Sequence, residues 1–73
     1  MKLMVNHVNK ERTYVSNFQK LRYWSDRAPV ELSSDEIDNF LLDKVDDRLS
    51  ITFIGDSVVT VPKQNIESLV FSK

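Results

Sequence analysis

In 73 residues the chain has no cysteine, one glycine, two prolines, one histidine and no long apolar run. Each shortage excludes something. Without cysteine no disulfide can compensate for a thin core, and thiolate zinc sites and thiol nucleophiles leave the inventory. The redox compartment stays open. With a single glycine, the glycine-rich loops that cradle phosphates cannot be assembled. No window approaches the roughly 20 apolar residues of a membrane span, and the opening residues Met1-Lys2-Leu3-Met4-Val5-Asn6-His7 lack a signal-type apolar stretch, so the expectation is a cytoplasmic protein with no membrane partner.

The lone His7 would need carboxylates from elsewhere to hold a metal, and a Ser/His/Asp triad would need a nucleophile that the sequence does not mark. A surface or edge-strand histidine is the simpler reading. The acids of "SSDEIDNFLLDKVDD", residues 33 to 47, lack the glycine that curls an EF-hand loop around Ca²⁺. No metal, no cofactor and no enzymatic activity are therefore expected.

What is present fits a folded unit. A hydrophobic content of 41% and a charged content of 29% are globular values. The length suits one domain, residues 1–73, near the lower limit at which one core holds a fold without staples. Charge is unevenly placed. Residues 1 to 30 hold Lys2, Lys10, Arg12, Lys20, Arg22 and Arg27 against Glu11 and Asp26, whereas the remainder holds nine acids against Lys44, Arg48, Lys63 and Lys73. That asymmetry is the main functional clue.

Leu3-Met4-Val5 with Val8 reads as a first strand closed by Asn9-Lys10-Glu11. Over residues 13 to 24, Tyr14, Val15, Phe18, Leu21 and Trp24 recur at helical spacing, which favours a helix; two strands joined by a turn across "YWSDRAPVEL" are the alternative. Pro29 ends any such helix by Ala28, leaving Val30-Glu31-Leu32 extended. Ser33 stands three residues before Glu36, the spacing of a capping box, and Ile37, Phe40, Leu41, Val45 and Leu49 follow at helical spacing, so an amphipathic helix is expected over residues 34 to 48. Leu49, Ile51 and Phe53 alternate with Ser50 and Thr52, and Val59 and Val61 alternate with Val58 and Thr60 on the far side of Gly55-Asp56. A three-residue loop, Ile54-Gly55-Asp56, keeps the apolar face single. Pro62-Lys63-Gln64-Asn65 turns the chain, and Ile66 to Phe71 can supply a third antiparallel strand. The run from Val61 to Ile66 resembles the turn before the last strand of SH3-like barrels, without the aromatic cluster of a Pro-rich ligand groove, and carries no functional weight.

The fold class expected is thus α+β: one acidic amphipathic helix packed on a small antiparallel sheet that ends in a three-strand meander. On that helix Asp35, Glu36, Asn39, Asp43, Asp46 and Asp47 share an arc of about 120°, with no Lys or Arg three or four positions along to neutralise them. Asp35, Glu36 and Asp38 suit the N-terminal dipole, but Asp46 and Asp47 oppose it at the other end. The bland reading is that the helix stops near Val45 and leaves them in a solvated loop.

The function expected is non-catalytic docking of a protein partner with a basic surface, as an inhibitor or adaptor, through Asn39, Asp43, Asp46 and Asp47. One alternative is a nucleic-acid module using Lys20, Arg22, Tyr23 and Trp24, where cations stand beside stacking rings; a net charge of -1 weighs against it. Another is a structural subunit forming a homo-oligomer through its sheet edges. A winged helix is vetoed, because its recognition helix would carry carboxylates toward phosphates.

Overall fold

Strand-prone residues crowd the alternating parts of the chain, and the computed structural model, which describes residues 1–25 and 28–72, places strands there. Strands β1 (Lys2–His7), β2 (Arg12–Val15) and β7 (Ile66–Ser72) form one antiparallel sheet in the order β2-β1-β7. Strands β3 (Lys20–Ser25), β4 (Ala28–Ser33), β5 (Ser50–Ile54) and β6 (Val58–Pro62) form the other in the order β4-β3-β5-β6. The expected α+β architecture is therefore corrected to an all-β one: among the described residues there is no α-helix, only short 3-10 turns at Ser34–Asn39, Leu42–Lys44 and Lys63–Asn65.

The acidic helix expected over residues 34 to 48 fails for visible reasons. Its apolar residues satisfy an i, i+3 spacing twice, Ile37 to Phe40 and Leu42 to Val45, which suits a 3-10 turn as well as an α-helix. Phe40 and Leu41 between the turns are extended. Leu41, which a continuous helix would have placed on the apolar face, is 55% exposed, while Ile37 and Val45 are buried. Asp38, Asn39, Asp43, Asp46 and Asp47 are weak helix formers whose side chains compete for backbone amides. Asp46 does so, accepting the Arg48 amide at 2.9 Å. At the other end Glu36 accepts from the Ser33 amide (3.3 Å) and hydroxyl (3.0 Å), so the cap forms ahead of a 3-10 turn.

The helix expected over residues 13 to 24 is likewise two strands. Val15 and Leu21 are inward residues of β2 and β3, and Phe18 fills the corner between them, so an alternation interrupted by a bend imitates a helical period. Asn17 supplies the bend with φ 52, in the left-handed region that Asn tolerates. The chain crosses there from one sheet to the other and is stitched to both, the Phe18 amide donating to Met1 (2.8 Å) and the Gln19 amide to Ile54 (2.8 Å).

The hairpin of β5 and β6 has an odd loop of three residues, 55 to 57, one position later than expected; Phe53 faces Val59 and Ile51 faces Val61. Its glycine is needed for close approach. A Cβ on Gly55 would lie 2.7 Å from the Ser16 carbonyl oxygen and 2.7 Å from Val15 Cγ1. The loop holds the corner further through Asp56, whose amide donates to the Ser16 carbonyl (2.9 Å) and whose carboxylate accepts from Asn17 Nδ2 (2.9 Å).

After β6 the 3-10 turn Lys63–Asn65, within the run that resembles the SH3-like turn, redirects the chain. The expected three-strand meander is corrected here: β7 does not pair with β6 but runs back along β1, Leu3 facing Phe71 and Val5 facing Leu69. Between the sheets lie Leu3 and Val5 of β1, Leu21 of β3, Ile51 and Phe53 of β5 and Ile66 of β7, each at most 8% exposed, with Ile37 and Val45 covering one end. Burying each such side chain stabilises the fold by about 1.5–3 kcal/mol, which stands where disulfides would in a chain this short. No described helix is long and apolar enough to cross a membrane.

Candidate functional site

The pleat of β3 divides the four residues expected to meet nucleic acid. Lys20, Arg22 and Trp24 point away from the core, whereas Leu21 and Tyr23 point toward it. Tyr23 is half-buried, its ring centroid 5.9 Å from that of Phe40. On the outer face Arg22 sits opposite Glu31 of β4 and holds it with Nε (2.8 Å) and Nη2 (2.6 Å), while Lys20 Nζ approaches to 3.7 Å. The Arg22 hydrogen bond, then the Lys20 charge, hold the Glu31 carboxyl below its usual range. Two of the expected cations are thus committed to one carboxylate. Asp26 and Arg27, between β3 and β4 in the sequence, lie outside the described residues.

The acids expected to dock a basic surface are dispersed. Without a helix, Asn39 ends one 3-10 turn and Asp43 lies in the next. Asp46 is engaged by Arg48 through Nε (3.1 Å), Nη2 (2.7 Å) and the backbone amide, and these bonds, the side-chain ones first, lower its pKa to about 2. The same pair raises the Arg48 pKa. Asp47 receives Lys63 Nζ at 2.7 Å from the turn before β7. Two of the three docking acids are therefore paired, with partners two and sixteen positions away, neither of which a helical wheel displays. An exposed pair such as Asp46–Arg48 orders its side chains more than it stabilises the fold.

The structure joins one residue of the acidic set to two of the aromatic set. Tyr23, Trp24 and Ser25 form one wall of a groove of about 450 Å³, and Lys44, Val45, Asp46, Arg48 and Leu49 form the other. Asp43, Asp47 and Asn39 do not line it. Its floor is apolar, from buried Val45 and half-buried Tyr23 and Leu49, and its rim alternates Lys44, Asp46 and Arg48. Trp24 stands at the mouth, 58% exposed, and its other side borders a shallower depression with Arg22, Pro29 and Glu31. Sequence reading missed Lys44, Arg48 and Leu49. The one signal available was the spacing of Asp46 and Arg48, two apart as in a turn in which an Asp side chain accepts a following amide.

Elsewhere, His7 Nε2 lies 2.8 Å from Thr13 Oγ1 across the first hairpin. Among the described residues no three His, Asp or Glu side chains gather closely enough to hold a metal ion. No protein-family model, no curated protein and no solved structure matches the chain, so the site is read from its own geometry.

Proposed function

We propose that the chain is a non-catalytic binding domain that captures a protein partner in the groove beside Trp24. A solvent-exposed tryptophan at the mouth of an apolar-floored groove carries the reading. Tryptophan loses little conformational entropy on binding and dominates interface energetics when a partner closes over it. An apolar partner side chain would cover Tyr23, Val45 and Leu49, and the rim of Lys44, Asp46 and Arg48 would meet polar groups on either side of it. Cytoplasmic residence is part of the same proposal, to be tested by fractionation.

Docking of a basic surface by Asp43, Asp46 and Asp47 is a subordinate form of the proposal, because Arg48 and Lys63 already engage two of the three. The test is capture from a lysate of the source organism, with and without nuclease. It compares the wild type, Trp24→Ala, the exposed-aromatic control Tyr14→Ala, and the triple Asn variant of Asp43, Asp46 and Asp47. The expected result is a nuclease-resistant partner lost with Trp24→Ala and kept with Tyr14→Ala. Loss with the triple variant alone would return the site to the acids. Capture abolished by nuclease and by Arg22→Glu would replace the proposal with nucleic-acid binding.

A further inference from the structure

Each sheet has two outer strands, and three of the four carry features that discourage further pairing. Strand β4 contains Pro29, β6 ends in Pro62, and β2 is only four residues long. Proline and brevity are the usual means of blunting an edge. Strand β7 has neither. It spans seven residues, and none of the backbone hydrogen bonds outside the strand ladders involves residues 66 to 72, so its second edge pairs with no described segment. Its one irregularity is near its start, where the register with β1 slips between Asn6 and His7.

From Ser68 to Ser72 the strand is regular, uncharged and symmetric in pattern: Ser, Leu, Val, Phe, Ser. An antiparallel copy centred on Val70 sets Ser68 against Ser72, Leu69 against Phe71, and Val70 against itself. Every opposed pair matches in polarity, and no like charges meet. The outer face supports the same centre. Met4 of β1 faces Tyr14 on one side and Val70 on the other, an apolar row that stops at the edge with Val70 44% exposed. A two-fold axis at Val70 continues the row into the second copy.

We infer that the chain forms a symmetric homodimer by antiparallel pairing of β7 with β7 of a second copy about Val70, giving a six-stranded sheet β2-β1-β7-β7-β1-β2. The groove beside Trp24 lies on the other sheet and is not consumed. Pairing five residues per copy buries less than the roughly 1,600 Å² of a standard stable interface, so the dimer is concentration-dependent.

Sedimentation of the wild type over a wide concentration range should show the average mass rising toward twice the monomer. Val70→Lys and Val70→Glu should each sediment as monomers, because each opposes like charges at the axis, and an equimolar mixture should recover the dimer. Because the chain lacks cysteine, Val70→Cys offers a direct readout. Opposed strand residues lie about 4.5–5.5 Å apart between Cα atoms, within disulfide reach. Under mild oxidation Val70→Cys should form covalent dimer much faster than Val58→Cys, an exposed control on β6. A wild type that stays monomeric throughout, a dimer indifferent to Val70→Lys, or equal cross-linking by the two cysteine variants would each overturn the inference. A monomer that instead captures extended peptides along β7 would assign the edge to another occupant and overturn it as well.

Discussion

Residues 50 to 62 and residues 34 to 49 each carry six large apolar side chains, yet the first stretch is a regular hairpin and the second is two 3-10 turns joined by extended chain. In the hairpin every level agrees. Alternation, β-branched residues and the glycine at the loop all specify antiparallel strands with Ile51, Phe53 and Val61 inside. In the connector they conflict. Spacing invites a helix, the Asp and Asn residues oppose it, and short turns with local caps resolve the conflict. The part of the chain that packs by compromise is also the part that lines the Trp24 groove.

The largest expected effect separates the two regions. Phe53→Ala, at a fully buried position, should cost about 3–5 kcal/mol. Total stabilities run about 0.05–0.15 kcal/mol per residue, so this loss is a large part of what holds so short a chain. Leu41→Ala in the connector should stay within about 0.5 kcal/mol, as exposed substitutions do. Urea unfolding of both variants measures the contrast. A Leu41→Ala cost approaching that of Phe53→Ala would mean that the connector buries its apolar residues as a helix would, and the comparison would break.

A smaller effect is expected where the hairpin meets the corner. Gly55→Ala places a methyl against the backbone of Ser16 and Asn17, which cannot rotate away as a side chain could. Overpacking of this kind costs about 1–3 kcal/mol. Unfolding midpoints of Gly55→Ala and of Gly55→Ala combined with Val15→Ala check the cause. Removing the Val15 methyls leaves the contacts with the Ser16 and Asn17 carbonyl oxygens, so the double variant should remain less stable than Val15→Ala alone.

Legibility follows the same division. The hairpin faces, the odd loop length, the first strand and the strand character of residues 66 to 71 could be read from alternation, because period 2 survives whatever the sheet's neighbours are. The pairing of β7 with β1 could not, since Ile66 to Phe71 fits beside either partner strand and the choice is made by the turn Lys63–Asn65 and the closing of the core. Residues 13 to 24 misled because a left-handed Asn17 interrupts an alternation that would otherwise have been plain. At the site, Trp24 and Tyr23 drew notice by residue type, but which faces out depends on a pleat phase that the same bend resets. Arg48 and Lys63 as partners of Asp46 and Asp47 depend on where the chain goes once no helix forms.

The subtlest difference between the two regions is expected in acid. In the connector, Asp46 is lowered from an ordinary 3.8 to about 2 by the Arg48 bonds. The folded-state value lies below the unfolded one, so between them the unfolded chain binds more protons and stability rises with pH. The stabilisation is complete above about 3.8 and is lost as pH falls toward about 2. Glu31, lowered by Arg22, adds a slope of the same sign from the other wall of the outer depression. Asp46→Asn should therefore flatten part of the acid limb of a urea-midpoint profile and leave the Glu31 part. The effect should shrink with added salt, because the pair is exposed and its charges are screened. An acid limb unchanged by Asp46→Asn would mean that Arg48 is not held in place, and the rim of the groove would then be set by whatever binds there.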